Sequence, residues 1–465
     1  MNGPEPIQLP RKPRYVTLTA DCDFFELFKK IEKRFATCFM LESLGEESYI
    51  SRYSIIGFDP EKILYANGNT LFIEDRAGNT EKYESENPYY LLRQIVPQDV
   101  ISRRYSGGLT GYLGYDAMHY FEPSLTLKHT DYFDVFRFGL FKDGLTLDKM
   151  TGEVTYFYYT ESRVELVREL LEEDYRGNGP LKITDLGDTM TREDHANAVT
   201  KVKQDIVDGK IFQCEVGFKK RFRLEGDTIN IYEQMREVNP SPQMYYVKFG
   251  AQKLIGASPE LLFRLRQGEM ETFPLAGTTR RGETMEEDVQ LARRLLNDPK
   301  EIAEHKMIVD LHRNDIGRVA RFGTVKVRSL MDIKRYSHVQ HISSEIVGIM
   351  AESEDMFSAL ASNFPAGTLT GAPKIEAMKI IDDLEADGRG PYGGAVGHFS
   401  FNGDCTFAIP IRTLFANGED AYVQTCGGNV YDSNPADEYE EIRRKFSGTK
   451  TVLDKFMVGV TEQAQ

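Results

Sequence analysis

Two short acidic segments hold the residues most able to do chemistry in this sequence. Lys300-Glu301-Ile302-Ala303-Glu304-His305 and Asp437-Glu438-Tyr439-Glu440-Glu441 each set two glutamates three positions apart. On a helix that spacing places both carboxylates on one face. If the two faces met, Glu301, Glu304, Glu438 and Glu441 would offer hard oxygen ligands and leave positions for water and a substrate carboxylate, as magnesium prefers. In a chain with 72 acidic residues, one such pair alone is ordinarily a solvated helix face. The surrounding sequence has to decide.

The elements that must carry these residues are legible in outline. The first 160 or so positions read as strands joined by turns, with reversals at Asn67-Gly68-Asn69 and Lys149-Met150-Thr151-Gly152. A helix is expected over 161–174, followed by a Gly- and Pro-containing polar segment to Asp188 that marks a candidate boundary. Thr191 with Asp194 forms a helix start, Ala198, Val202 and Ile206 recur at helical spacing, and Gly209 stops the run. The period then changes to two: Phe212, Cys214, Val216 and Phe218 alternate with Gln213, Glu215 and Gly217. A helix over 229–238 and strands over 244–249, 253–257 and 261–273, the last broken at Gln267-Gly268, complete a mixed pattern with mostly antiparallel pairing.

Composition narrows the function classes. A length of 465 residues calls for two or three domains or one large double-layered body. A formal charge of -15 disfavours nucleic acid, although a pocket can still gather its own cations for an anionic substrate. No apolar run reaches membrane-span length, and the N-terminal residues lack the pattern of a secretion signal. Five scattered cysteines, Cys22, Cys38, Cys214, Cys405 and Cys426, give neither a disulfide framework nor a zinc spacing, so a cytoplasmic setting is expected.

Longer blocks supply the missing context. Residues 300–319 read KEIAEHKMIVDLHRNDIGRV, 364–375 read FPAGTLTGAPKI and 389–400 read RGPYGGAVGHFS. With Gly256-Ala257-Ser258-Pro259-Glu260, Ser337-His338-Val339-Gln340-His341, Ile411-Arg412-Thr413 and Glu441-Ile442-Arg443-Arg444-Lys445, they resemble, in order, the chorismate-utilising enzymes, and most closely the large subunits of anthranilate synthase. Leu41-Glu42-Ser43, Arg52-Tyr53-Ser54 and the glycine-rich stretch 107–115 extend the resemblance to the N-terminal part.

The resemblance implies an α+β fold: a large, mostly antiparallel two-sheet sandwich with helices on its outer faces. It implies a β-rich regulatory region over 1–188 and a chorismate-binding catalytic region over 189–465. Glu304 and Glu441 would bind magnesium directly, with Glu301 and Glu438 in or just outside its coordination, so that the ion holds the ring carboxylate. Arg412 and Tyr392 would hold the enolpyruvyl carboxylate, Lys445 would add a second cation, and Gly393, Gly394, Gly427 and Gly428 would let backbone N–H groups come close to it. Thr368 and Lys374 lie in the block that resembles the substrate loop. Glu260 would protonate the departing hydroxyl and His341 would assist proton removal as pyruvate leaves. Relatives that add water carry lysine where this chain has Gln213, and relatives that make para-aminobenzoate precursors carry a nucleophilic lysine where it has Ala276. Amination by ammonia is the reaction left. A second expected site, for tryptophan as feedback inhibitor, comprises Glu42, Ser43, Arg52, Tyr53, Ser54, Asn239, Pro240, Ser241 and Met244.

Several positions depart from the family pattern. Gly277-Thr278-Thr279-Arg280-Arg281-Gly282 shifts or loses an arginine, Cys426 replaces a glycine, Asn429 replaces an apolar residue, and Cys214-Glu215-Val216-Gly217-Phe218 stands where valines and a serine are usual. No segment resembles a glutamine-hydrolysing elbow, so ammonia from glutamine would require a separate amidotransferase subunit.

Overall fold

The computed structural model describes residues 3–18, 23–45, 52–335 and 339–457; Cys22, Ser337 and His338 lie outside them. Two large antiparallel sheets, each of twelve strands, carry most of the described chain. In one, Thr37–Glu42 pairs with Gln243–Phe249, joining N-terminal strands to C-terminal ones. In the other, Gly108–Leu113 pairs with Ala395–Ser400. Residues 1–188 and 189–465 thus share both sheets. The polar segment that ends at Asp188 is a strand, Leu181–Asp188, paired along Gln213–Gly226 at the sheet's edge. One face of an edge strand needs no apolar residues, so its sequence reads as a loop.

Alternation along the strands sorts side chains into two cores. Phe39, Tyr245 and Val247 join Leu109, Phe138 and Phe399 of the opposite sheet in the layer between the sheets. Cys38, Met40, Met244 and Tyr246 point the other way, into a core completed by Phe28, Ala198, Tyr232 and Ile442 from helices on the outer face. Outside the other sheet, Tyr89 of the helix Pro88–Ile95 donates to the carbonyl of Phe357 at the start of the helix Met356–Asn363. The α+β sandwich with outer helices is the architecture observed.

Local chemistry sets the boundaries as the sequence implies. Thr191 and Asp194 form a reciprocal capping box on the helix Arg192–Val207. Gln267 and Gly268 both take positive φ between Leu261–Arg266 and Glu269–Thr272, which breaks the long apolar run into two strands. The expected helix at 161–174 is shorter, Val164–Glu172, and its last turn lacks a basic residue. Among the described residues, no helix is long and apolar enough to cross a membrane.

Candidate active site

The strand Gln213–Gly226 begins at the centre of the candidate site. Cys214, Val216 and Phe218 enter the outer core, so Gln213, Glu215 and Gly217 face the opposite side. Gln213 Nε2 donates to Glu215 Oε1 at 3.2 Å. Across the ladder Glu215 faces Gly428, where a Cβ would stand 2.5 Å from Glu215 Oε1 and 3.0 Å from Gln213 Nε2. With glycine at 428, both side chains occupy that space, and a larger residue there would displace their ends.

Glu260 is buried just before the strand Leu261–Arg266, and Thr368 Oγ1 donates to its Oε1 at 3.0 Å. Burial pushes its pKa up to about 8; Glu215 adds to the rise, while Thr368, Arg412 and Lys445 oppose it. His341, on the strand Val339–Ile349, places Nδ1 3.2 Å from the carbonyl of Gly277 and 2.9 Å from Thr278 Oγ1. A carbonyl can only accept, so Nδ1 carries the hydrogen and Nε2 the lone pair. Burial, reinforced by Arg412 and Lys445, lowers this imidazole to about 4 and keeps it neutral. Arg412 takes φ 50°, an uncommon conformation for a side-chain-bearing residue, immediately before the strand Thr413–Asn417.

The two glutamate pairs lie on the helices Pro299–Gly317 and Pro435–Asp454, and all four carboxylates are half-buried. Burial raises the pKa of Glu301, Glu304 and Glu438, and in each case Glu441 raises it further. The influence of Glu441 on Glu301 and Glu304 links the two acidic faces electrically. Glu438 Oε2 is buried and has no hydrogen-bond partner among the described residues. A Cβ on Gly277 would fall 2.8 Å from Glu301 Oε2, so this acidic face reaches over the strand that holds His341 in place. Lys445 Nζ bridges Glu441 Oε1 at 2.9 Å and the carbonyl of Cys426 at 3.0 Å. Burial works against its charge, but Glu215 and Glu441 hold its pKa above the usual lysine value. Among the described residues, no three acidic, His or Cys side chains are already gathered at metal-ligand distance.

Other expected residues have different partners. Tyr392 is buried with its hydroxyl on Cys426 Sγ at 3.1 Å. The N–H groups of Gly393 and Gly394 are taken by the carbonyls of Pro410 and Pro391, so they do not point at a ligand. Close packing explains Gly394, where a Cβ would lie 2.1 Å from the carbonyl of Leu113. Lys374 pairs with Asp315 at 2.9 Å. Arg281 is tied to Asp288 at 2.8 Å, and Arg280 to Glu287.

Two features escaped the sequence reading. Glu385 and Arg389 form a buried ion pair at 2.7 Å; Arg389 also donates to the carbonyls of Leu369 and Glu215, and Glu385 accepts from Gly217 N. This pair fixes the substrate-loop block to the strand that starts at Gln213. Glu215 is the second, and the period-two pattern that puts it on the face of Gln213 is the signal that could have found it.

A cavity of about 170 Å³ lies between the sheets, lined by Ser43, Tyr53, Tyr105 and His398, with Glu42 and Met244 at its edge, their side chains turned to the outer face. Arg52, Ser54, Asn239, Pro240 and Ser241 do not line it. Ser54 follows Tyr53 on a strand and so faces the other side. Arg52 is bound to Asp148 at 2.6 Å, Asn239 to the carbonyl of Gly448 and Ser241 to the backbone of Leu44. On that outer face Glu42 is neutralised by Arg236 at 2.7 Å and by the hydroxyl of Tyr232 at 2.8 Å. Ser43 Oγ is buried and has no partner among the described residues.

Residues 18–451 match the family of chorismate binding enzymes. Anthranilate synthase component 1 of Leptospira biflexa is 50% identical, covering 96% of this chain and 97% of its own. That of Methanothermobacter thermautotrophicus is 43% identical over 90% of each. The crystal structure of anthranilate synthase component I from Streptococcus pneumoniae superimposes with a TM-score of 0.77 at 30% identity, covering 88% of this chain and 94% of that one. The menaquinone-specific isochorismate synthase of Escherichia coli shares the fold, with a TM-score of 0.74 at 16% identity over 97% and 96%. The chain belongs to the chorismate-binding enzymes, in the branch of its anthranilate synthase component 1 relatives.

Proposed function

We propose that this chain is the chorismate-converting component of an anthranilate synthase. It adds ammonia to the chorismate ring, releases the ring hydroxyl as water, and eliminates pyruvate to leave anthranilate. The observation that carries this reading is the convergence of a protonated Glu260, a neutral His341, and Gln213 beneath two acidic helix faces.

The donor set fits a magnesium ion. Its hard oxygens come from two helices, the raised proton affinities of Glu301, Glu304 and Glu438 record charge left uncompensated there, and Glu438 Oε2 is a buried acceptor without a partner among the described residues. Glu304 and Glu441 would hold the ion, with Glu301 and Glu438 in or beside its coordination. Bound there, magnesium supplies a positive anchor and Lewis acid for the ring carboxylate.

The chain's own residues account for the rest. Arg412 and Lys445 supply cations for the substrate's carboxylates, with Tyr392 buried beside them. Glu260, kept protonated at neutral pH, donates to the leaving hydroxyl while Thr368 fixes its position. His341 presents a lone pair on Nε2 to receive a proton as pyruvate leaves. Gln213 cannot serve as a strong base for water, and Ala276 cannot attack the ring, which disfavours isochorismate and aminodeoxychorismate as products. Retention of the four acidic positions, Glu260 and Arg412 disfavours a decayed, purely regulatory protein.

Ammonia reaches the site from a separate glutamine amidotransferase subunit, and tryptophan binds in the cavity lined by Ser43 and Tyr53, with Met244 at its edge, as feedback inhibitor. Residues 1–188 supply most of the regulatory surface and 189–465 the catalytic one. The test is the product: purified chain with chorismate, magnesium and ammonium is expected to generate anthranilate fluorescence. Salicylate or para-aminobenzoate in its place would reject the assignment, and so would anthranilate made from glutamine by this chain alone.

A further inference from the structure

The mechanism above leaves one buried carboxyl at the site without a task. Glu215 is 6% exposed, and its two oxygens accept from Gln213 Nε2 at 3.2 Å and from Cys426 Sγ at 3.4 Å. Arg389 donates to its backbone carbonyl at 2.7 Å, which anchors the strand at this residue. The charged and titratable groups around it are Lys445 and Glu441 from one helix, Glu304 from another, Glu260, and the Cys426 thiol. A buried carboxyl with only these neutral hydrogen bonds is expensive to maintain. The space for it is made by Gly428, and Cys426 is itself one of the departures from the family pattern. The departures on the strand Gln213–Gly226 and on the strand Asp420–Asn429 therefore meet at one carboxyl, beside the residue whose family counterparts choose the nucleophile.

We propose that Glu215, held beside Gln213, receives the proton shed by the attacking nitrogen. This rests on the ammonia-dependent reading above. In the step, the nitrogen lone pair forms the new carbon–nitrogen bond, the ring π electrons shift, and the carbon–oxygen bond to the departing hydroxyl breaks. Glu260 gives its proton to that oxygen, which leaves as water. The nitrogen, now positively charged, passes one proton to Glu215. One proton has moved from the first carboxyl to the second, and no further reactant is needed. The environments suit this order: burial raises Glu215 to about 7, below the value of about 8 for Glu260, so the acceptor ionises first.

The test compares the wild type with E215Q and E215D, using chorismate, magnesium and ammonium, with rates expressed per unprotonated ammonia. E215Q keeps the side chain's shape but cannot take the proton, so its kcat should fall by roughly 10²-fold, the lower end for general-base assistance. The KM for chorismate should stay unchanged, the acidic limb of the pH profile near 7 should disappear, and E215D should recover part of the rate. An E215Q enzyme with the wild-type rate and acidic limb would overturn the proposal. So would parallel loss of chorismate affinity and kcat in both variants, which would mark a packing role. A wild type that forms no anthranilate would reject the activity itself, a result distinct from either.

Discussion

The candidate active site and the cavity between the sheets both hold buried carboxylates, yet Glu42 at the cavity is treated differently from those of the active site. At the cavity, Glu42 is matched by Arg236 and Tyr232, so its charge is compensated before any ligand arrives. In the active site, Glu215, Glu260, Glu301, Glu304 and Glu438 all carry raised pKa values because burial and one another's charge oppose ionisation. Unresolved charge is what a site needs in order to bind a cation and keep an acid protonated. A recognition pocket needs shape and a few placed polar groups, such as the buried Ser43 Oγ, which has no partner among the described residues. The difference separates the sites chemically even though they share two continuous sheets.

The largest expected effect breaks one site and spares the other. E304A should lower anthranilate formation by roughly 10³-fold or more, as loss of preorganised charge at a reacting centre does, while tryptophan binding measured by calorimetry remains. E260Q should cost roughly 10²-fold or more in kcat. The pH profile sharpens this point. Activity needs Glu260 protonated, so it should decline as pH rises through about 8, and E260Q should lose that limb. Stability carries the same sign: a carboxyl whose folded pKa is raised from 4.5 to about 8 stabilises the fold below 4.5 and loses that contribution as pH climbs to 8. E260Q should therefore melt higher than the wild type at alkaline pH, by an amount that shrinks toward acid.

From the other side, Y53A removes an aromatic wall of the cavity and should weaken tryptophan inhibition by about tenfold, equivalent to ~1.4 kcal/mol, with kcat unchanged. The smallest effect belongs to a residue outside both sites. T191A breaks the capping box of the helix Arg192–Val207 and should cost about 1 kcal/mol in denaturant unfolding, with kinetics and inhibition as in the wild type.

Local structure was the legible part of the fold. The capping box at Thr191, the helix at Ile229–Val238 and the break at Gln267-Gly268 follow from side-chain chemistry within a few residues. The pairing of Thr37–Glu42 with Gln243–Phe249 joins strands some 200 positions apart, and no local pattern encodes it. At the site, the glutamate spacing and the long blocks pointed to Glu260, Thr368 and both acidic helices. Glu215 is not legible in the sequence, because one carboxyl on a strand looks like a departure until Gly428 and Cys426 stand opposite it. In sequence Arg389 is only the first residue of a glycine-rich block, since its partner Glu385 precedes that block at the end of a helix. The cavity was legible in part: Arg52 and Asn239 carry the right chemistry but spend it on Asp148 and Gly448.

The central expectation is that the acidic faces of the helices Pro299–Gly317 and Pro435–Asp454 act together on one divalent ion. Anthranilate fluorescence from chorismate and ammonium, followed across a magnesium titration for the wild type beside E304A, addresses this directly. The expected result is a saturable magnesium requirement in the wild type that chelation abolishes and E304A does not recover at any concentration. Magnesium-independent formation of anthranilate, or an E304A enzyme with the wild-type response, would contradict it.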